Sequence, residues 1–195
     1  MTRIEPLSRA ELAEFEPFFQ IVEQGMGFVP TSLFAMGRRP ELLRAFAGLS
    51  GTILGPSRLE PELKSLVSFV ASRAAGCSYC QAHTGHTARR NGASPEKIAS
   101  SFEYETSPLF DPRERAALRL AHHAALVPNE ATNAHFEDLR RHFDDETILE
   151  IVAVIALFGY LNRWNDTLAT TLEDAPTAFA AETLGEAGWE PGKHA

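Results

Sequence analysis

Gly76–Arg90, "GCSYCQAHTGHTARR", carries both cysteines of the chain, Cys77 and Cys80, with histidines at positions 83 and 86. The stretch before it, "ELKSLVSFVASRAAG", sets Leu63, Leu66, Val67, Val70 and Ala74 at spacings of three and four, the buried stripe of an α-helix. Gly76 breaks that helix, and a second one opens at Cys77. It ends at "RRNGAS", where Arg89 and Arg90 meet the negative end of the dipole and Asn91 and Gly92 accept left-handed geometry. The C-x-x-C therefore sits in the first turn of a helix, inside a helix-turn-helix hairpin.

Outward from the hairpin, breakers cut the rest of the chain into helix-length pieces. "SRAE" from Ser8 is a capping-box pattern, and "SPEK" at Ser94 and "DPRE" at Asp111 each put a cap residue before a proline at the first helical position. The pattern predicts helices over about 8–24, 40–54, 60–75, 77–91, 94–102, 111–126, 131–142 and 145–172. No segment alternates like a strand, so the predicted class is all-α. The reading is one domain over 1–195, with an N-terminal helical arm about 1–38, a core about 39–174 and a loose tail about 184–195.

With 195 residues, 44% of them hydrophobic, the chain can bury a full core. Lys and Arg number 18 against 26 Asp and Glu, a net charge of −8, which gives no electrostatic footprint for nucleic acid or an anionic membrane. The N-terminus has acids where a signal peptide needs an apolar stretch, and the longest apolar run, "IVAVIALFGYL" from Ile151 to Leu161, has the length of a buried helix. The expected location is the cytoplasm. In a reducing compartment a C-x-x-C points to catalysis or metal binding rather than to a structural staple.

Metal binding is the weaker of these on geometry. Along one helix each three-residue step turns about 300° and rises about 4.5 Å, so Cys77, Cys80, His83 and His86 spread over about 13.5 Å and cannot converge on one ion. The only other pair of adjacent candidate ligands is His122 and His123, and neither a metal nor a cofactor is expected. A redox pair fits better. Cysteines three apart in a first turn lie within disulfide reach, and the unpaired N–H groups there favour a thiolate. Such a thiolate attacks an O–O or S–S bond and the second sulfur closes the disulfide. His83, three residues after Cys80, shares its face and is the candidate proton carrier; His86 lies one turn further along.

The run "SLVSFVASRAAGCSYCQAHTGHTA", followed downstream by "LEIVAVIALFGYLNRWNDTLATTLED", resembles the AhpD-like, peroxidase-related branch of the carboxymuconolactone decarboxylase superfamily. The resemblance implies an AhpD-like helical fold, a homo-oligomer, and thiol-dependent alkylhydroperoxidase activity. It also implies that Cys80 is held by a relay of a histidine and a glutamate and forms a disulfide with Cys77. The chain departs from the family at three places. Thr84 stands where the relay histidine belongs, with His83 beside it. Tyr79 replaces a histidine before the second cysteine, and reads as a packed aromatic. Ser65 stands where the relay glutamate belongs, with Glu62 one turn earlier; Glu62 either serves the relay or answers the helix dipole behind Pro61.

"NRWND", Asn162–Asp166, interrupts a very apolar helix, so Asn162, Asn165 and Asp166 call for partners at a subunit contact, the first reading, or in a pocket wall, the second, with plain surface exposure left open. The function read from the sequence is a thiol-dependent alkylhydroperoxidase or disulfide oxidoreductase acting through Cys77 and Cys80, with a hydroperoxide as substrate and a dithiol or protein as reductant. The alternatives are a lactone decarboxylase, whose chemistry has no use for a dithiol, and a non-catalytic oligomer that senses oxidants.

Overall fold

The computed structural model describes residues 2–195, and among them every regular element is helical. After a short 3₁₀ segment at Ala10–Phe15, the helices are α1 (Glu16–Met26), α2 (Thr31–Met36), α3 (Pro40–Leu54), α4 (Pro61–Ala74), α5 (Ser78–Arg90), α6 (Pro95–Ala99), α7 (Pro112–Ala125), α8 (Asn133–Leu139), α9 (Asp145–Leu168) and α10 (Asp174–Leu184). This is the AhpD-like helical architecture, with the C-x-x-C where the hairpin puts it.

The centre of the molecule is α4, which packs against α5, α7 and α9. Its run of buried residues goes all the way round: Leu63, Leu66, Val67, Phe69 and Val70 are joined by buried Ser65, Ser68 and Ser72. Small hydroxyls suit such a helix because each can return its hydrogen bond to its own backbone. Ser65 and Ser68 do so, onto the carbonyls of Pro61 and Ser65 at 2.8 and 2.7 Å. Lys64 is buried on the same helix, and its ammonium donates to the Ile53 and Gly55 carbonyls at 3.0 and 2.8 Å, closing the C-terminal end of α3.

The turn from α4 to α5 works as its sequence implies. Gly76 takes a φ of +73°, a conformation open to glycine at little cost, and Cys77 follows in extended backbone as the N-cap of α5. Asp111 and Glu114 form a reciprocal capping box behind Pro112. Ser8 and Glu11 also exchange hydrogen bonds, but their box opens the 3₁₀ segment, and the α-helix waits for Glu16. The N-terminal arm builds its own core: Leu12, Phe15, Phe19, Leu33 and Met36 enclose Leu43 and Phe46 of α3 and Leu157 of α9.

The C-terminal third departs from the sequence reading. At 24 residues α9 is long and apolar enough to cross a membrane by length and composition, yet it packs among α3, α4, α5 and α7. It stops at Leu168 rather than running to 172. Ala169 adopts a left-handed conformation, φ +48°, and the N–H of Thr170 turns back to the Asn165 carbonyl at 3.1 Å. A separate helix, α10, follows and lies along α5. The segment after it is not loose: Trp189 and His194 are buried, the indole donates to the Ser78 carbonyl at 3.1 Å, and the N–H of Leu172 donates to the His194 carbonyl at 2.9 Å. Large aromatic area and a backbone hydrogen bond outweigh the local glycines and proline.

Candidate active site

Cys77 and Cys80 lie at the junction of α5, α9 and the C-terminal turn, with exposures of 0% and 2%. Because Cys77 is the N-cap, its sulfur faces the free N–H groups of the first turn, and the Cys80 N–H donates to it at 3.4 Å. The two sulfurs are not joined. The Cys80 thiol hydrogen-bonds to the Cys77 sulfur, and this, with the nearby His194 imidazole and the Cys80 N–H, outweighs burial and brings the Cys77 thiol down to about 6. Cys80 goes the other way: burial first, and then the neighbouring Cys77, hold it as a thiol. The surroundings thus favour a thiolate on Cys77 and a thiol on Cys80.

The other wall is α9. Asn165 turns its amide to the Cys80 sulfur, Nδ2 to Sγ 3.5 Å. Asp166, one residue on, pairs with Lys193 at 2.7 Å, and its second oxygen lies 3.6 Å from His194 Nε2. The polar interruption in the apolar helix is thus partly answered within the chain: Asn162 and Asn165 are buried, and Asn165 and Asp166 find partners in Cys80 and Lys193. Both side-chain polar atoms of buried Asn162, with Asn165 Oδ1, Thr170 Oγ1 and His194 Nε2, have no hydrogen-bond partner within the protein. Asn162, Asn165 and Asp166 share one face of α9. These buried groups thus keep hydrogen-bonding capacity that the protein itself does not use.

His83, the candidate proton carrier, is buried and engaged elsewhere. Its Nε2 lies 2.5 Å from Glu173 Oε2, its ring stacks on Tyr79 with centroids 4.1 Å apart, and the Tyr79 hydroxyl donates to Glu173 Oε1 at 3.1 Å. The N–H of Thr31, at the start of α2, donates to the same carboxylate. Burial opposes the charge on Glu173, but His83 and Thr31 together hold its carboxyl below the usual carboxylate range. Tyr79 is the packed aromatic that the sequence suggests. His86 sits between Phe28 and Phe179, and its Nδ1 has no partner. Burial and the adjacent cationic side chains lower its pKa.

Glu62 is not at the site. It pairs with Lys97 at 2.8 Å, and Lys97 also pairs with Glu114 at 2.6 Å, tying α4 to α6 and α7. Pro61 opens α4, so an acid at its next position serves the dipole and a neighbouring ammonium. Ser65, at the expected glutamate position, hydrogen-bonds Asn91, and Thr84, at the expected histidine position, donates to the Cys80 carbonyl at 2.6 Å.

Four residues of this region escape a sequence reading of the motif alone: Asn165, Asp166, Glu173 and His194. The first two carried a signal, since polar residues in an apolar helix demand partners. Glu173 and His194 carried none, because their contacts depend on the end of α9 and the docking of the tail. Cys77 Sγ, an Asp166 oxygen and a His194 ring nitrogen lie within 4.8 Å of one another, the one cluster of metal-donor type among the described residues. Asp166 in this cluster also holds the Lys193 ammonium at 2.7 Å. The four positions from Cys77 to His86 do not converge: His83 is paired with Glu173, and His86 is packed among aromatics.

An all-helical protein with a buried C-x-x-C at a helix N-terminus has the AhpD-like architecture. The chain belongs to the carboxymuconolactone decarboxylase family, which matches residues 40–123, and within it to the AhpD-like branch. It is similar to the debrominase Bmp8, with 37% identity, 94% of this chain and 98% of that chain covered, and a TM-score of 0.88. The same figures hold for a cysteine-to-alanine variant of that enzyme in complex with 2,3,4-tribromopyrrole. A peroxidase-related protein with an AhpD core from Ralstonia eutropha JMP134 matches at 27% identity over 92% of this chain and 95% of that one, with a TM-score of 0.80. The uncharacterized protein YnjA of Escherichia coli (strain K12) is 30% identical over 112 residues, which is 57% of this chain but only 62% of that relative's length.

Proposed function

We propose that the protein is a dithiol-dependent reductase in which Cys77 is the attacking thiolate and Cys80 the resolving thiol. The observation that carries the reading is the asymmetry of the pair. Both sulfurs are buried, but the Cys77 sulfur accepts the Cys80 N–H at the start of α5 and its thiol is lowered, while burial and Cys77 itself raise the Cys80 thiol. This order reverses the one that the family resemblance implies, because the histidine and glutamate expected beside Cys80 are not at the expected positions.

With a hydroperoxide, the Cys77 thiolate takes the terminal oxygen and the O–O bond breaks. The leaving alkoxide gains a proton, which leaves a sulfenic acid and an alcohol. Cys80 then attacks the Cys77 sulfur, water departs, and an external dithiol reduces the disulfide through thiol exchange. A second reading is favoured by the 37% identity to a debrominase and by the missing relay residues. The same thiolate abstracts bromine from an electron-rich brominated ring, the ring carbon takes a proton, and Cys80 displaces bromide to form the same disulfide. Both readings use one dithiol and consume one two-electron reductant per turnover.

The test supplies dithiothreitol with either cumene hydroperoxide or a polybrominated pyrrole and follows alcohol or bromide release. Turnover of either substrate that is lost in Cys77→Ser supports the reading. Neither substrate turning over, with both thiols still free afterwards, would refute it.

A further inference from the structure

We infer that His194, carried on the C-terminal turn and backed by Asp166, is the acid–base partner of Cys77: it takes the thiol proton and returns it to the leaving group. The inference rests on the dithiol reading above and names its proton carrier, a residue outside the C-x-x-C hairpin.

The geometry is specific about which nitrogen does this. His194 Nδ1 lies 2.8 Å from the Thr170 carbonyl, which can only accept, so that nitrogen keeps its hydrogen in every state. Nε2 is then the position that gains or loses a proton. It has no hydrogen-bond partner although the side chain is only 1% exposed. It faces Asp166 at 3.6 Å, and the Cys77 sulfur belongs to the same cluster within 4.8 Å. A buried imidazole with one nitrogen locked and the other free beside a thiol is arranged for proton exchange.

The surroundings favour the protonated ring. From α5 the groups facing His194 are Cys77, Cys80 and the Tyr79 ring, 5.7 Å away between centroids, with the His83–Glu173 pair behind Tyr79. From α9 comes Asp166, and from the turn itself Lys193, which is spent on Asp166. Burial disfavours an imidazolium here, but Cys77, the Thr170 carbonyl and Asp166 together raise the His194 pKa. The shifts of the two groups thus run in the directions that favour an imidazolium beside a thiolate.

Tail docking delivers the group. Trp189 anchors on Ser78 at the start of α5, and the backbone pairing of Leu172 with His194 sets the height of the imidazole over the dithiol. During turnover the thiolate bonds to oxygen or bromine, and the departing alkoxide or ring carbanion takes the proton from Nε2. His194 becomes neutral, and it is reprotonated when the next thiol ionises. Charge and atoms balance with no further reagent than the external dithiol.

The experiment uses the full-length chain with His194→Gln, in which the amide can still donate to Thr170 and keep the tail seated. Asp166→Asn is the second variant. Two readouts separate acid–base work from packing. The first is the pH profile of Cys77 alkylation by iodoacetamide, read by mass. Its midpoint is expected to rise by about one pH unit or more in His194→Gln, and in the same direction but less in Asp166→Asn. The second compares, per thiolate, reaction with an aromatic disulfide, whose leaving thiolate needs no proton, and with cumene hydroperoxide, whose alkoxide does. The disulfide rate should stay within about threefold, while the peroxide rate falls by about 10². An unchanged midpoint, or equal slowing on both probes, would overturn the assignment. If the parent protein consumes neither hydroperoxide nor bromopyrrole, the reductase reading falls, and the alkylation midpoint alone decides the acid–base role of His194.

Discussion

Glu173 Oε2 stands 2.5 Å from His83 Nε2, so the histidine that shares a helix face with Cys80 is joined to the N-cap of α10. The same carboxylate takes the Tyr79 hydroxyl and the Thr31 N–H, which makes it the tie between α2, α5 and α10. His83→Ala should therefore lower the unfolding free energy by about 2 kcal/mol, in the range for a hydrogen bond to a charged group. It should shift the Cys77 alkylation profile less than His194→Gln does. Chemical denaturation and alkylation on the same samples check both halves. A larger alkylation effect from His83 would return the proton relay to α5.

The two shifted groups at the dithiol set the pH dependence. The Cys77 pKa is depressed, so its thiolate is present above about 6 and is lost as pH falls through that value. The His194 pKa is raised, so its imidazolium persists above the ordinary histidine range and is lost only at higher pH. Peroxide or bromopyrrole turnover should follow a bell with its acid limb near 6. Alkylation, which needs no acid, should show the acid limb alone. A peroxide profile that rises to a plateau up to pH 10 would mean that no acid takes part.

Glu62 bridges to Lys97 on the far side of α4. Glu62→Gln should cost less than about 1 kcal/mol, since Lys97 retains Glu114. Its thiol titration and turnover should match the parent. A tenfold loss of peroxide reaction with normal stability would restore a catalytic role for this glutamate.

Gly85 lets α5 pack tightly against two aromatic rings. A Cβ there would stand 2.9 Å from a Phe179 ring carbon and 3.3 Å from one of Phe69. Gly85→Ala should destabilise by about 1–3 kcal/mol through overpacking, despite the better helix propensity of alanine. Thermal unfolding gives the sign directly; a stabilised variant would show that the two rings move aside freely.

Most of the hairpin was legible because its signals are local. The apolar stripe of α4, the glycine at its end and the basic residues closing α5 each depend on neighbours within a turn or two. The interruption at Asn162–Asp166 was legible as a demand for partners, and Asn165 finds one in Cys80. What local patterns could not supply was the break at Ala169, where a residue with a Cβ takes a left-handed conformation because the chain must turn back toward α5. From that break follow α10, Glu173 and the seated tail with His194. Trp189 and the Leu172–His194 backbone hydrogen bond hold the tail, and both join segments far apart in sequence. Glycines and a proline near the C-terminus suggest loose chain only while those contacts are out of view.

The order of the two sulfurs is the centre of the account, and locating the first oxidised sulfur tests it most directly. Reduced Cys80→Ser and Cys77→Ser proteins are each treated with one equivalent of cumene hydroperoxide, trapped with dimedone and mapped by mass. The account predicts a dimedone adduct on Cys77 in the first protein, little reaction in the second, and a Cys77–Cys80 disulfide in the unaltered chain. A sulfenic acid forming on Cys80 in Cys77→Ser, with Cys77 inert in Cys80→Ser, would contradict it.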